Sequence, residues 1–398
     1  MATAKGPLSG IRIVDLTSMV SGPLAAMTLA DQGAEVIKVE RPPIGDHTRQ
    51  VATRRGGVSA SFLNVNRGKR SVALDLKDPA AQQALFRIVA TADVFLQNFR
   101  PGVAERMGLG EAAVRAHRPD IVYCSIAGFG FAGPYAQKPV YDPLIQALSG
   151  LVTVQAGSDQ RRPRLVRTIL PDKLTGIQTA QAITAALLHR ARTGEGQAIE
   201  ISMLDTVVAF LWNSDMGGHT FVGDELTEEV SQSFVELIYE TADGHIAVSV
   251  MSDRDWAGLS RATGRPDFLE DSRFATPAGR EEHKNARLEL TQEALSTATT
   301  AEWLARLEAE DVPCAPVLTR GEMRQHPQIA ANETLIEYDH PTAGRLRQAR
   351  PPARFSGTPG PGPWPAPALG ADTEALLAET GTPPAEIARL TGRREPAE

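Results

Sequence analysis

The stretch "IRIVDLTSMVSGPLAAMTLADQGAEVIKVE" (Ile11 to Glu40) decides the fold. It opens on "IRIVDLT", whose β-branched and apolar residues have strand composition. "SGPLAAMTLADQGA" (Ser21 to Ala34) reads as a helix that starts near Pro23 and ends at Gly33. "EVIKVE" (Glu35 to Glu40) is the next strand. Strand, helix and strand in such a short span make a βαβ unit, which implies parallel pairing. The alternation continues with strand "SVALDL" (Ser71 to Leu76), helix "PAAQQALFRIVATA" (Pro79 to Ala92), strand "DVFLQNF" (Asp93 to Phe99), helix "GEAAVRAHR" (Gly110 to Arg118) and strand "IVYCSIAGFG" (Ile121 to Gly130). This predicts the α/β class: a Rossmann-like large domain with a parallel sheet and helices on both faces.

Further along, "RTILPDKLTGIQTAQAITAALLHRARTGEGQ" (Arg167 to Gln197) is the best helix in the chain. Asp172 is a favoured N-cap type. Leu174, Ile177, Ala180, Gln181, Thr184, Leu187 and Leu188 trace a mostly apolar stripe, and Arg190 and Arg192 suit the last turn. Gly176 costs a helix about 1 kcal/mol relative to alanine, which fits a place where substrate approaches the backbone. "QAIEISM" (Gln197 to Met203) follows as a strand. "MGGHTFVGDELTEEVSQS" (Met216 to Ser233) reads as a loop, and "VELIYETADGHIAVSVM" (Val235 to Met251) as a hairpin turning at "ADG". Helices up to Leu307 and a strand at "CAPVL" (Cys314 to Leu318) complete a smaller α+β region. "GRLRQARPPARFSGTPGPGPWPAPALG" (Gly344 to Gly370) is rich in Pro and Gly and reads as an extended connector. A last helix, "DTEALLAETG" (Asp372 to Gly381), precedes a frayed tail. The expected organisation is a large domain over 1–221, a small domain over 222–325, and a connector with a C-terminal return over 326–398.

With 398 residues the chain exceeds the usual size of one domain. Its net charge of −7 argues against a nucleic-acid partner, which usually meets a basic face. The two cysteines, Cys124 and Cys314, lie in apolar stretches and read as buried free thiols; a reducing cytoplasm fits. "MATAKGPLSG" has no apolar core of a secretory signal, and no apolar run approaches the ~20 residues of a membrane span, so a soluble cytoplasmic protein is expected. "GFGFAG" (Gly128 to Gly133) satisfies the dinucleotide fingerprint. Its context does not, because Pro134, Pro139 and Pro143 follow where a long helix should start. No G-x-S-x-G, H-E-x-x-H, C-x-x-C or complete P-loop is present, and the eight scattered histidines suggest no metal site.

Basic residues remain near the strand ends. Arg67, Lys69 and Arg70 precede "SVALDL"; Arg41, Lys77, Arg100 and Arg106 follow strands. In an open parallel sheet, ligands bind beyond the carboxyl ends. The latter four would crowd that edge and suit a phosphate-bearing ligand. A scatter of solvated surface charges is the alternative from spacing alone.

At this point the sequence resembles the class III CoA-transferases, the family of formyl-CoA transferase and carnitine CoA-transferase, with acyl-CoA racemases as relatives. The resemblance runs from about Leu8 to Gly381. It is carried by "LSGIRIVDLTSMVSGPLAAMTLADQGAEVIKVERP", "NRGKRSVALDLKDP", "DVFLQNFRPGVAERMGLG", "IAGFGFAGPYAQKPVYDPLIQALSG", "DKLTG…ALLHRARTGEGQ" and "PALGADTEALLAETG". It implies that Asp172, which opens the D-x-x-T-G block, is the nucleophile. It implies CoA contacts at Val20, Ser21, Arg41, Leu74 to Lys77, Asn98, Phe99, Arg100, Arg106, Met107 and Tyr141. Val20 stands where transferases often carry glutamine, and a covering glycine-rich loop has no clear match.

The same resemblance implies an interlocked ring-like homodimer, no permanently bound cofactor, no metal, and coenzyme A or acyl-CoA as substrate. A carboxylate nucleophile suits the exchange, because thioester and carboxylate trade places at similar energy and covalent steps divide the barrier. Asp172 would form a mixed anhydride, then an aspartyl-CoA thioester, before the acceptor acid reverses the sequence. The relatives that racemise place a histidine where this chain reads Val140-Tyr141-Asp142. Tyrosine, with an ordinary pKa near 10, is a poor base at neutral pH. Asp142 reads either as a second acid or as a turn residue before Pro143. A non-catalytic CoA-binding protein is the alternative of another class. "RRPRLVR" (Arg161 to Arg167) reads either as a site for a second carboxylate, as in succinate, or as surface arginines.

Overall fold

The computed structural model describes residues 6–51, 53–225, 237–362 and 364–392. They form two compact units, Met1–Thr227 with Glu333–Glu398, and Glu228–Asn332. The first holds a six-stranded sheet of β1 (Arg12–Asp15), β2 (Glu35–Glu40), β3 (Lys69–Ala73), β4 (Val94–Gln97), β5 (Val122–Ala127) and β6 (Ala198–Ser202). Every pairing is parallel, and the spatial order is β3-β2-β1-β4-β5-β6. The strand order reverses between β1 and β4, so the crevice beyond their carboxyl ends is the topological switch point where such sheets bind ligands.

Successive strand residues face opposite sides, and the core divides accordingly. Val14, Ile37, Phe95 and Tyr123 join one cluster; their neighbours Ile13, Val36, Val94 and Val122 join the other. Helix α1 (Ser21–Asp31) covers the second face with Ala25 and Leu29. Between β2 and β3 lies α2 (Ala60–Asn66). The first face takes Leu85 and Ile88 of α3 (Pro79–Val89). Beyond β4 come the short α4 (Val103–Arg106) and α5 (Glu111–His117). After β5 a turn-rich loop reaches α6 (Asp142–Leu148) and α7 (Leu151–Ala156). Helix α8 (Leu170–Thr193) follows, and α9 (Met203–Trp212) succeeds β6.

The buried face of α8 is not the expected stripe. Thr175, Gly176, Thr179, Ala180, Ile183, Ala186 and Leu187 face inward, whereas Ile177 and Leu188 are 60% and 52% exposed. Small side chains let α8 lie close against α1, so side-chain size, not hydrophobicity, selects the inner face.

The second unit has an antiparallel sheet of β7 (Ile238–Glu240), β8 (His245–Val248) and β9 (Cys314–Pro316), in the order β9-β8-β7. Helices α10 (Asp253–Thr263), α11 (Lys284–Leu295) and α12 (Thr300–Ala309) accompany it around buried Trp256, Phe274 and Trp303. Residues 226–236 lie outside the described residues, with the second part of the expected loop and the start of the expected hairpin.

The expected connector departs from expectation at its start. Gly344–Ala349 is a strand, β11, paired antiparallel with β10 (Leu335–His340). The C-terminal segment then docks on the edge of the large sheet. Asp372 accepts from Ser71 N–H at 2.9 Å, Thr373 Oγ1 accepts from Ala73 N–H at 3.0 Å, and Leu376 and Leu377 of α13 (Thr373–Glu379) enter the first core cluster. These contacts cap edge strand β3. Part of the expected frayed tail is helix α14 (Pro384–Thr391); residues 393–398 lie outside the described ones.

Candidate active site

Helix α8 begins at Leu170 with Ile169 as N-cap, three residues earlier than expected, because Pro171 fits a first turn. Asp172 is therefore not the cap but a first-turn residue, half-buried. Gly176 stands one turn further on the same face. A Cβ there would lie 2.8 Å from Ser21 O and 3.1 Å from Leu24 Cβ. The glycine thus serves the approach of α1, not of substrate as its helix cost suggested. That approach sets Asp172 against Ser21, the first residue of α1, whose backbone N–H and hydroxyl both act on the carboxylate.

The loop from β1 to α1 is held from several sides. Asp15 Oδ1 accepts from the Thr17 N–H at 2.9 Å and from its hydroxyl. The fully buried Lys38 donates to Thr17 O at 2.8 Å and pairs with Asp46 at 2.9 Å. Asp46 also accepts from the N–H of Met19, which sits at φ 70° in the left-handed region. Asn98 bonds both backbone groups of Ser18, at 3.0 and 2.8 Å, and so ties this loop to the one after β4 across the switch point. Lys69 Nζ completes the network on Asp15 Oδ2, Pro23 O and Asn66 Oδ1. Burial, opposed by Asp15 and reinforced by Lys38, brings Lys69 down to about 8.

On the other side stands α6. Asp142, 3% exposed, accepts from the Asp172 N–H at 3.2 Å through Oδ2 and from Gln146 Nε2 at 2.6 Å through Oδ1. Gln146, 2% exposed, in turn accepts from the Val166 N–H at 2.9 Å, which fixes its amide orientation. Burial and the Asp142 charge push the Asp172 carboxyl up to about 6, against the pull of Ser21. A helix N-terminus would be expected to lower it; here desolvation and a like charge outweigh the dipole. At neutral pH Asp172 still carries its charge, on a carboxylate more basic than usual.

The residues expected to meet CoA all follow carboxyl ends of sheet strands. Val20 and Ser21 follow β1, Arg41 follows β2, Leu74 to Lys77 follow β3, Asn98 to Arg100 and then Arg106 and Met107 follow β4, and Tyr141 follows β5. Arg41 pairs with Asp75 at 3.4 Å, both exposed. Lys77, Arg100 and Arg106 are exposed, with no acidic partner among the described residues. Leu74 is 2% exposed, and Phe99 and Met107 pack against the core, so these three offer a ligand chiefly backbone. Tyr141 is 68% exposed at the N-cap of α6. Arg67, Lys69 and Arg70 stand at the other end of β3 and are bound to Asp31, Asp15 and Glu35. Arg161, Arg162, Arg164 and Arg167 are exposed on the segment leading to α8. Cys124 is fully buried, which pushes its thiol up to about 12; Cys314 is only half-buried.

Sequence reasoning missed Gln146, Lys38 and Asp46. The one available signal was a lysine inside the apolar "EVIKVE" and an acid closing "IRIVD", charges that a buried strand tolerates only when paired. No group of three His, Cys, Asp or Glu side chains that could hold a metal ion occurs among the described residues, and no helix among them is long and apolar enough to cross a membrane.

Residues 8–373 match the family described as CoA-transferase family III. The human protein named succinyl-CoA:glutarate CoA-transferase is 33% identical over 94% of this chain and 86% of its own length. The Agrobacterium fabrum protein named succinate–glutarate CoA-transferase is 34% identical over 96% of this chain and 98% of its own. The crystal structure of the Mycobacterium tuberculosis protein Rv3272 superposes with a TM-score of 0.83 at 32% identity, covering 94% of this chain and all of that one.

Proposed function

The chain belongs to CoA-transferase family III and is an enzyme of CoA transfer; from that premise we propose that Asp172 is the nucleophile that carries CoA from an acyl-CoA thioester to a free carboxylic acid. The observation that carries this reading is the carboxylate itself, half-buried at the switch point of the sheet with no cation paired to it among the described residues and with its pKa raised to about 6. A carboxylate kept from cations and made more basic is a better nucleophile, and above pH 6 it is mostly ionised.

Asp172 attacks the thioester carbonyl, the C–S bond breaks, and a mixed anhydride and CoA thiolate result. The thiolate attacks the aspartyl carbonyl and displaces the donor acid, leaving an aspartyl-CoA thioester. The acceptor carboxylate then attacks that thioester, and the same two steps in reverse release the new acyl-CoA and free Asp172. The exposed Arg41, Lys77, Arg100 and Arg106 beyond the strand ends suit the phosphates of CoA. Val20, Ser21, Asn98 and the backbone at Leu74, Phe99 and Met107 line its path in this reading, and Tyr141 offers an aromatic face.

The relatives named for succinyl-CoA and glutarate support a dicarboxylic acid in at least one half-reaction. Arg161 to Arg167 then offers a cation for the second carboxylate. The exposed Ile177, Leu188, Phe210 and Trp212 support a homodimer, and we place the enzyme in the cytoplasm.

The test is CoA exchange between succinyl-CoA and glutarate by purified protein, with Asp172→Ala as control. Loss of exchange in the variant is expected. Full activity in Asp172→Ala would refute the nucleophile, and α-proton exchange into deuterated solvent without an acceptor acid would point to racemase chemistry instead.

A further inference from the structure

We infer that Asp142 is a positioning residue for the transfer reaction: its buried carboxylate holds the first turn of α8 and sets the charge environment in which Asp172 reacts. The inference rests on the reading of Asp172 as nucleophile.

Its ground is the way the two acids are linked. Asp142 is the first residue of α6, and it reaches from there to the backbone N–H of Asp172 at 3.2 Å. The N–H groups of a first helical turn have no partner within their own helix, and Ile169, the N-cap of α8, supplies no side-chain acceptor. Asp142 fills that vacancy from another element. Its second oxygen receives Gln146 Nε2 at 2.6 Å. Gln146 cannot turn its amide round, because its Oε1 already accepts from the Val166 N–H and its Nε2 also faces Val166 O at 3.4 Å and Thr168 O at 3.3 Å. Both oxygens of Asp142 therefore face donors. One side chain so joins α6, the segment before α8, and the nucleophile's own peptide.

The electrostatic consequence is specific to this acid. Helices α1, α6 and α9 and strands β5 and β6 pack against α8. Their other charged groups are Asp31, paired with Arg67 at 2.6 Å, and Asp205 and Glu200, both exposed. Lys173, next to the nucleophile, donates to Thr168 Oγ1 at 2.7 Å. Among the described residues, Asp142 is the one charged group whose field raises Asp172, in the same direction as burial. When Asp172 becomes an acyl derivative it loses its charge and the repulsion disappears, so the buried neighbour favours the covalent intermediates over the free carboxylate.

The experiment compares Asp142→Asn and Asp142→Glu with wild type in succinyl-CoA:glutarate exchange, measuring kcat and KM across pH 5–9 beside thermal unfolding. In Asp142→Asn we expect kcat to fall ~10-fold, the worth of one hydrogen bond to a charged group. KM for succinyl-CoA stays unchanged, and the acid limb of the profile moves to lower pH. Asp142→Glu, which keeps the charge, retains the wild-type acid limb. Wild-type kcat with an unmoved acid limb in Asp142→Asn overturns the inference, as does a loss confined to unfolding temperature. Should Asp142→Asn fail to fold, Asp142→Ser, which leaves room for water at the α8 N–H, carries the same readouts. Asp172→Asn in the same series separates the two claims: if it is inactive while Asp142→Asn behaves as wild type, only the positioning role fails.

Discussion

Two groups of buried acids in the large unit are treated in opposite ways. Asp15, Asp46 and Glu40, under the loop after β1, each have a cation within 3 Å: Lys69, Lys38 and Arg49. Burial works against their charge, yet these cations and the local N–H and hydroxyl donors hold all three carboxyls below the usual range. Asp172 in the first turn of α8 and Asp142 at the start of α6 have, among the described residues, only each other, Ser21 and Gln146; burial prevails there and Asp172 rises to about 6. The contrast separates acids that build the site from the acid that reacts in it. A neutralised carboxylate is a girder, whereas an uncompensated one keeps its basicity for a thioester carbon.

The largest expected effect is on the reacting side. Asp172→Ala lowers exchange by on the order of 10⁴-fold, measured as turnover with acyl-CoA and acceptor acid, while leaving the fold intact. On the structural side, Lys69→Met strands Asp15 without its cation and costs about 3–5 kcal/mol, read from denaturant unfolding. The double change Asp15→Leu with Lys69→Met recovers most of that loss; failure to recover would mean that the network does more than satisfy itself. Gly176→Ala forces a Cβ to within 2.8 Å of Ser21 O; it costs about 1–3 kcal/mol and lowers kcat as α8 moves off α1.

The smallest effect is one of sign. Asp172 binds its proton more tightly folded than unfolded, so its ionisation costs stability as pH rises from about 4 through 6 and beyond. Asp172→Asn removes that cost and should stabilise the protein by roughly 1–3 kcal/mol at pH 8, with the gain vanishing below about pH 4. Changing Asp15 or Asp46 to Asn should do the reverse, losing stability at pH 8, and thermal unfolding across pH checks both.

Much of this was legible in the sequence, and the failures have physical causes. The βαβ alternation over Ile11–Glu40 gave the parallel sheet, because strand and helix composition are local properties. Arg41, Lys77, Arg100 and Arg106 could be placed at the carboxyl edge because they follow strands. The inward face of α8 could not be read, since Gly176, Ala180 and Thr179 are chosen by the closeness of α1, a tertiary fact, while Ile177 and Leu188 point outward. The fully buried lysines were hidden for the same reason: nothing next to Lys69 in sequence shows that Asp15 lies 2.9 Å from it in the fold. Asp172 looked like a cap because aspartate is a favoured N-cap type, whereas the helix takes Pro171 into its first turn and starts at Leu170.

The most direct test of the central claim is to catch the covalent intermediate. Enzyme mixed with succinyl-CoA in the absence of acceptor is quenched with acid, weighed intact, digested and mapped. The account expects an added CoA mass, carried as a thioester on the peptide containing Asp172 and absent from Asp172→Asn. A CoA adduct on any other residue, or full exchange with no adduct at any time after mixing, would contradict it.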